Sequence, residues 1–538
     1  MSSKINFKLD KKKLIVIIVA AAVVLASVVG IIIWKASPKG AVAAVSTLPD
    51  SLNPVLEQNT SALNASELIF DGLTNFEVDP ESKKLYTELG LAESIVQDPS
   101  DKMTYTVTLR EDVVWHDETP LTADDVVYSY NAYTLEENNS PKREYINSFI
   151  KSCRAIDDKT VEFVFRKPMP EFRAYPVLTF KIIPSRYDGQ EMDVNMRDGD
   201  LERKFATEPI GTGPFKLQKW EIGKWLTFKA NGLYFKTVPK VDTIVIKRII
   251  DPIVRMNELK KGRVNLVLET NPMDRASVAK MSRVEINSYM PYAFYTVAIN
   301  TDLFPRAEGR QAMSVALNQA ELVPGITDKD EGVCLNYGPF PSNLFAVNIP
   351  EYVSDPLPDV LSYDIKKAKK LAKSGDISGQ NAKLIYPDSM GDFGKQLAEG
   401  IAKQLSEIGL NVEIKRTGDQ VFKRMVFKEK SYELALMYYD GFDNVYSSLG
   451  NMYRSNGPEN ITGISDKSLN TLFDKWEKEN VTENWVDLTL QLNKKICDLS
   501  PTLPLCTLEK DVYSRGLQNV AIGTDNPFLS AEEWKIKD

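Results

Sequence analysis

A single histidine, His116, occurs in the 538 residues of this chain. Mechanisms that pass a proton from a serine or cysteine to an imidazole therefore have one candidate base, and no Gly-x-Ser-x-Gly elbow is present to set a nucleophile beside it. A histidine-based metal cluster within one chain is excluded for the same reason. His116 lies in Val114-Trp115-His116-Asp117-Glu118, where a structural place in a turn after a strand is expected. Cysteine is almost as scarce: Cys153, Cys334, Cys497 and Cys506 are too few for a disulfide scaffold and lack metal-type or redox-type spacing. Whether Cys497 and Cys506 pair is a matter of geometry that spacing does not decide.

Repeats, low-complexity tracts and a phosphate loop ending in Lys-Ser/Thr are also missing. The Gly-x-Gly of Pro209-Ile210-Gly211-Thr212-Gly213-Pro214-Phe215 is followed by a proline and a strand-like run, which denies it the helix N-terminus that a phosphate site uses. It reads as a tight turn. Excess positive charge is absent too. The first forty residues hold seven lysines and one aspartate, so the remainder carries 59 basic against 73 acidic side chains, a net −14. That balance argues against a nucleic-acid partner.

What is present begins at the N-terminus. Lys4, Lys8, Lys11, Lys12 and Lys13 precede an unbroken apolar run over residues 14–33, closed by Trp34 and Lys35. As a helix that run rises about 30 Å, the thickness of a bilayer core. With most of the lysines before it, the expected organisation is a cytoplasmic basic segment 1–13, a transmembrane helix 14–34, a short link 35–40 and an exported body. A cleaved signal peptide is the alternative, since Ala41-Val42-Ala43 resembles a small-residue cleavage site. Favouring the anchor, the run exceeds the usual apolar segment of about 7–15 residues, and residues 41–46 read as the first strand of the body. No cysteine near the helix supplies a lipoprotein anchor.

The length predicts two or more domains. Up to about residue 267 the chain is α+β in flavour, with period-two strands at 105–109 and 160–165 and, between them, a helix start at Thr122-Ala123-Asp124-Asp125. Macrodipole and capping roles explain those two aspartates without catalysis. From about 270 to 505 helices alternate with isolated strands in α/β fashion: amphipathic helices at 364–374 and 393–408, Gly409, a strand at 411–415, and another at 432–439. Asp440 and Asp443 follow that last strand among Tyr438, Tyr439, Phe442 and Tyr446. Ligands bind at such strand ends in open α/β sheets, and a carboxylate set among aromatics suits a cationic ligand group. A solvated Asp/Asn-rich loop is the equal alternative.

The segment Tyr105-Thr-Val-Thr-Leu-Arg110-Glu-Asp-Val-Val-Trp115-His116-Asp117-Glu-Thr-Pro120-Leu-Thr122-Ala-Asp124-Asp125-Val126 resembles the peptide/nickel-type extracellular solute-binding proteins, with Glu118 where the family usually has glycine. Further matches run in order: Leu52-Asn53-Pro54, Phe70-Asp71-Gly72-Leu73, Gly211-Thr-Gly-Pro-Phe215, Ala298-Ile-Asn300, Arg310-Gln311-Ala312, residues 364–372, Ile408-Gly409 and Pro504-Leu505. The resemblance covers about residues 41–525. It implies an α/β, in part α+β, two-lobed periplasmic-binding-protein-like fold. Lobe one would take 41–270 and 507–538, with an extra subdomain at about 78–200, and lobe two would take 271–506. It further implies a monomer that captures peptides between the lobes, delivers them to an ABC-type permease with its ATPase subunits, and is neither an enzyme nor dependent on a cofactor. The implied ligand residues are Gln58 and Thr60 for peptide backbone, Asp440 or Asp443 for the peptide ammonium, Tyr438 and Tyr439 beside them, and Tyr145. Two alternatives share that fold: a receptor for a non-peptide solute, and a tethered sensor or chaperone-like module without transport.

Overall fold

In a computed structural model the chain is described over residues 40–57, 59–80, 85–270, 274–291, 293–322, 333–335, 338–339, 362–439, 445–479, 481–524 and 526–537. The expected transmembrane helix 14–34 lies outside the described residues. Among the described residues no helix is long and apolar enough to cross a membrane.

Two sheets organise the body. The first has seven strands in the order Phe215–Glu221, Trp225–Ala230, Thr243–Arg248, Gly40–Val45, Leu266–Val267, Lys510–Arg515 and Val284–Tyr289. At its centre Gly40–Val45 runs parallel to Thr243–Arg248 and to Leu266–Val267; its side chains are all small or branched, and Ala41, Ala43, Ala44 and Val45 are buried. A strand covered on both faces needs such a continuous apolar sequence. The second sheet has six strands in the order Val333–Leu335, Thr502–Leu508, Phe294–Ile299, Leu434–Tyr439, Asn381–Pro387 and Asn411–Thr417. Its helices Ala307–Ala316, Ile365–Ser374 and Gly391–Ser406 bury Ala312, Ala368, Ala372, Leu397 and Ile401 against one face. The expected lysine-rich helix is there, capped by Asp364, whose carboxylate accepts from the N–H groups of Lys366 and Lys367 at 3.0 and 2.9 Å.

A smaller four-stranded antiparallel sheet has the order Ala92–Gln97, Thr104–Leu109, Thr160–Phe165 and Ile150–Ala155, within the span 78–200. Tyr105, Val107, Leu109, Val161, Phe163 and Phe165 point inward at period two and are fully buried. Each such side chain contributes about 1.5–3 kcal/mol of apolar burial. They join one cluster with the core of the first sheet, so the subdomain is an extension of lobe one.

The lobe boundaries fall differently from the expectation. Val284–Tyr289 belongs to the first sheet, paired antiparallel to Lys510–Arg515, so the chain crosses to the second sheet between Tyr289 and Phe294 instead of at 270. It returns between Leu508 and Lys510, with Glu509 alone between the two strands, instead of at 506. The expectation set the boundary at about residue 270, where helices begin to alternate with isolated strands; the antiparallel edge strand that follows carries no local sign of which sheet it joins.

Two structural readings hold. His116 closes the turn around Gly211: its Nδ1 accepts the Gly211 N–H at 3.2 Å and its Nε2 lies 3.0 Å from the Gly213 carbonyl. Both ring nitrogens are thereby occupied, and burial holds the imidazole down to about 4. The two glycines are there for close approach, since a Cβ on Gly211 would stand 1.8 Å from the Ile69 carbonyl oxygen. Asp125 is a buried anchor. Its carboxylate accepts from the N–H of Thr122 at 2.9 Å, from Trp115 Nε1 at 3.3 Å, and from the N–H and hydroxyl of Ser185 at 2.7 Å each.

Candidate functional site

The chain joins the two sheets at the crossings, and there a pocket of about 600 Å³ opens, lined by residues of both. Three kinds of surface line it. Lobe one supplies Thr47 after the central strand and the first turn of the helix Thr60–Ile69. Asn59 caps that helix, accepting from the Ser61 N–H at 2.8 Å, and the hydroxyls of Thr47 and Ser61 lie 3.0 Å apart. No acidic residue occupies the first turn, so the positive end of the helix dipole faces the pocket without an internal counter-charge.

The second crossing supplies Glu509, Lys510 and Asp511, and Glu269 joins them from just after the lobe-one strand Leu266–Val267. Glu269 accepts from the Ser46 N–H at 3.0 Å and pairs with Arg255 at 3.4 Å. Asp511, nearly buried, is held by Arg275 at 2.5 Å and by the Ser288 hydroxyl at 2.7 Å, and Arg275 also reaches Glu509 at 3.4 Å. Burial of the Asp511 carboxylate is tolerable only because the Arg275 guanidinium and the Ser288 hydroxyl meet it. Lobe two contributes aromatic rings: Tyr295 and Tyr438 lie side by side on neighbouring strands, 5.0 Å between centroids, and Phe393 packs on Tyr295 at 5.0 Å. Burial raises the Tyr295 phenol above its usual range, so it stays neutral.

Of the residues expected at the site, Thr60 and Tyr438 line this pocket. Tyr439 does not; side chains alternate along Leu434–Tyr439, and its ring turns to the opposite face, against Phe294 at 5.9 Å, with its hydroxyl donating to Glu459. Tyr145 sits in the helix Arg143–Phe149 of the subdomain, edge-on to Phe149 at 5.1 Å, and packs on the lobe-one core. Gln58, Asp440 and Asp443 lie outside the described residues. The sequence reading missed Glu269, Tyr289, Tyr295, Glu509 and Asp511. Each stands at or near the end of a strand, and with the first crossing set at residue 270 no local signal marked Tyr289 and Tyr295 as flanking it.

Chemically this is a binding surface: neutral hydrogen-bonding groups on one wall, aromatic faces on the other, partly neutralised acids between. Among the described residues no group of three or more metal-ligating side chains comes together. A pocket held between two α/β lobes, each presenting strand ends to it, defines a two-lobed solute-binding protein. Residues 87–460 match the family model of bacterial extracellular solute-binding proteins, family 5 (middle region), and the chain belongs to that family.

Curated relatives include the oligopeptide-binding protein AppA of Bacillus subtilis, 25% identical over 379 residues, covering 68% of this chain and 66% of that protein. The dipeptide-binding protein of Escherichia coli is 29% identical over 350 residues, covering 61% and 62%. The matched stretch thus spans less than two thirds of either relative. Among solved structures, the ABC transporter substrate binding protein CtaP of Listeria monocytogenes superposes with a TM-score of 0.79 at 24% identity, over 93% of this chain and 99% of that one. Bacillus subtilis AppA in complex with a nonapeptide gives 0.68 at 20%, over 93% and 100%. At these identities the structures establish the shared fold.

Proposed function

We propose that this chain is an extracytoplasmic receptor that captures peptides between its lobes and hands them to an ABC-type permease, tethered to the membrane by residues 14–34. The interlobe pocket carries the reading. Its neutral hydrogen-bonding wall suits a peptide backbone, its tyrosines suit side chains of varied shape, and its acids favour a free ammonium group. Relatives named for oligopeptide and dipeptide binding, and a fold neighbour named as an ABC transporter substrate binding protein, support the same reading. The ligand acts by preferring the closed arrangement of the lobes. Energy for transport would come from ATPase subunits on other chains.

The test is the melting temperature of the full chain in detergent with pools of di- to hexapeptides, since a ligand that binds only the folded state stabilises it by RT ln(1 + [L]/Kd). A shift with some pool is expected. In that pool, Asp440→Asn and Asp443→Asn identify the carboxylate that meets the ammonium, which should cost about 2–5 kcal/mol of affinity when neutralised. No shift with any pool, for protein that mass spectrometry shows to be free of retained ligand, would overturn the peptide reading in favour of another solute. Loss of peptide uptake on deletion is expected for a transport receptor and not for a tethered sensor.

A further inference from the structure

Away from the crossings, two cations of lobe one converge on one residue of lobe two. Arg173, in the subdomain helix Glu171–Val177, is 5% exposed, and its Nη1 donates to the backbone carbonyl of Glu477 at 3.1 Å. Lys167, just before that helix, places Nζ 3.5 Å from the Glu477 carboxylate. Glu477 lies in the last turn of the helix Lys467–Lys478, where backbone carbonyls have no partner within the helix and the dipole is negative. A buried guanidinium directed at that terminus is a charge-assisted contact between groups 304 residues apart in the chain.

The receiving side is built to stay in place. Arg454 pairs with Glu477 at 2.8 Å and with Asp474 at 2.9 Å while its guanidinium covers the Phe473 ring at 5.1 Å. Arg454 directly follows the helix Val445–Tyr453, which packs into the same core as Trp476 and Phe473. The contact therefore joins the subdomain of lobe one to a firmly packed corner of lobe two.

We propose that Arg173 and Lys167 form a latch on Glu477 that holds the lobes together without ligand and so sets how large a share of the molecules is closed. The proposal rests on the reading that the lobes open and close, and it adds a device that regulates the pocket from outside it. The two contacts differ in weight. Lys167 is 59% exposed, and an exposed ion pair contributes little; Arg173 is buried and charge-assisted, so it dominates. Apparent affinity scales with the fraction of molecules that is binding-competent, so the latch would tune affinity through residues that touch no ligand.

The experiment needs no ligand. Spin labels at Lys224→Cys in lobe one and Lys428→Cys in lobe two, both exposed positions, report the interlobe distance in the full chain by double electron–electron resonance. Arg173→Met is expected to enlarge the long-distance population about fivefold or more. Lys167→Glu should enlarge it less, and adding Glu477→Lys should reverse the Lys167→Glu change. Asp474→Asn, which removes one partner of Arg454 but leaves lobe one untouched, should match the parent. The folded state of each variant is checked by its melting curve, and Lys167→Glu, at an exposed site, decides the matter if Arg173→Met does not fold. Identical broad distributions in parent and variants would overturn the latch and leave the lobe motion intact. One narrow distance shared by all of them would overturn both.

Discussion

His116 shows how one side chain serves the fold while removing itself from chemistry. Its two nitrogens tie the Gly211–Gly213 turn to the turn between the bridged residues Val114 and Pro120, and that task requires the neutral ring. In the folded protein burial brings its pKa from 6.5 to about 4, so between those values the folded state binds fewer protons than the unfolded one. The stability this contributes is fully present above pH 6.5 and is lost as pH falls toward 4, about 3 kcal/mol across the interval at about 1.36 kcal/mol per unit. Chemical denaturation of parent and His116→Gln at pH 7 and pH 4.5 checks this. The parent should lose the larger share of its stability on acidification, and parallel losses would show that the ring does not titrate as buried. The sequence already pointed to a structural histidine because the imidazole had no nucleophile to serve; that its partners are backbone groups 95 and 97 residues away was not legible, because Gly211 reads locally as an ordinary turn glycine.

Elements were legible where one local rule decides them. Period-two alternation marked Thr104–Leu109 and Thr160–Phe165, a lysine-rich amphipathic pattern marked Ile365–Ser374, and the apolar strand Leu434–Tyr439 appeared within two residues of its expected start. How elements join was less legible, since pairing partners lie far apart in sequence: Gly40–Val45 pairs with a strand some 200 residues on. The site suffered most, because Glu269, Tyr289, Tyr295 and Glu509 are neighbours only once both crossings form. The helix Thr60–Ile69 shows this dependence on distant packing. Its first turn lines the pocket, and its last residue, Ile69, meets Gly211 and accepts a hydrogen bond from the Gly213 N–H at 2.8 Å. Gly211→Ala would drive a methyl group into the Ile69 carbonyl, backbone against backbone with no flexible side chain to yield. A cost of about 3 kcal/mol is expected, read as a lowered urea midpoint at unchanged slope; a midpoint equal to the parent's would mean that the turn relaxes freely.

At the scale of the molecule, each hydrophobic cluster among the described residues lies wholly on one side of the crossings: two within lobe one and two within lobe two. Each lobe therefore has the core of an independent folding unit. Short covalent connections couple them as well as the contact at Glu477, above all the single residue Glu509 between Thr502–Leu508 and Lys510–Arg515. Where one residue separates two paired strands, loss of order in one sheet frees the end of the other, and the lobes melt together. Inserting two glycines after Glu509 leaves both cores in place but lets each strand fray alone. Calorimetry of the parent should give one transition, and the insertion should divide it into two, one for each lobe. A ligand held by both lobes should draw the two transitions together again, because its binding energy is lost when either lobe unfolds. A single unchanged transition after insertion would mean that the lobes are coupled through the surfaces they press together, the Arg173–Glu477 contact among them, and not through the chain that crosses between them.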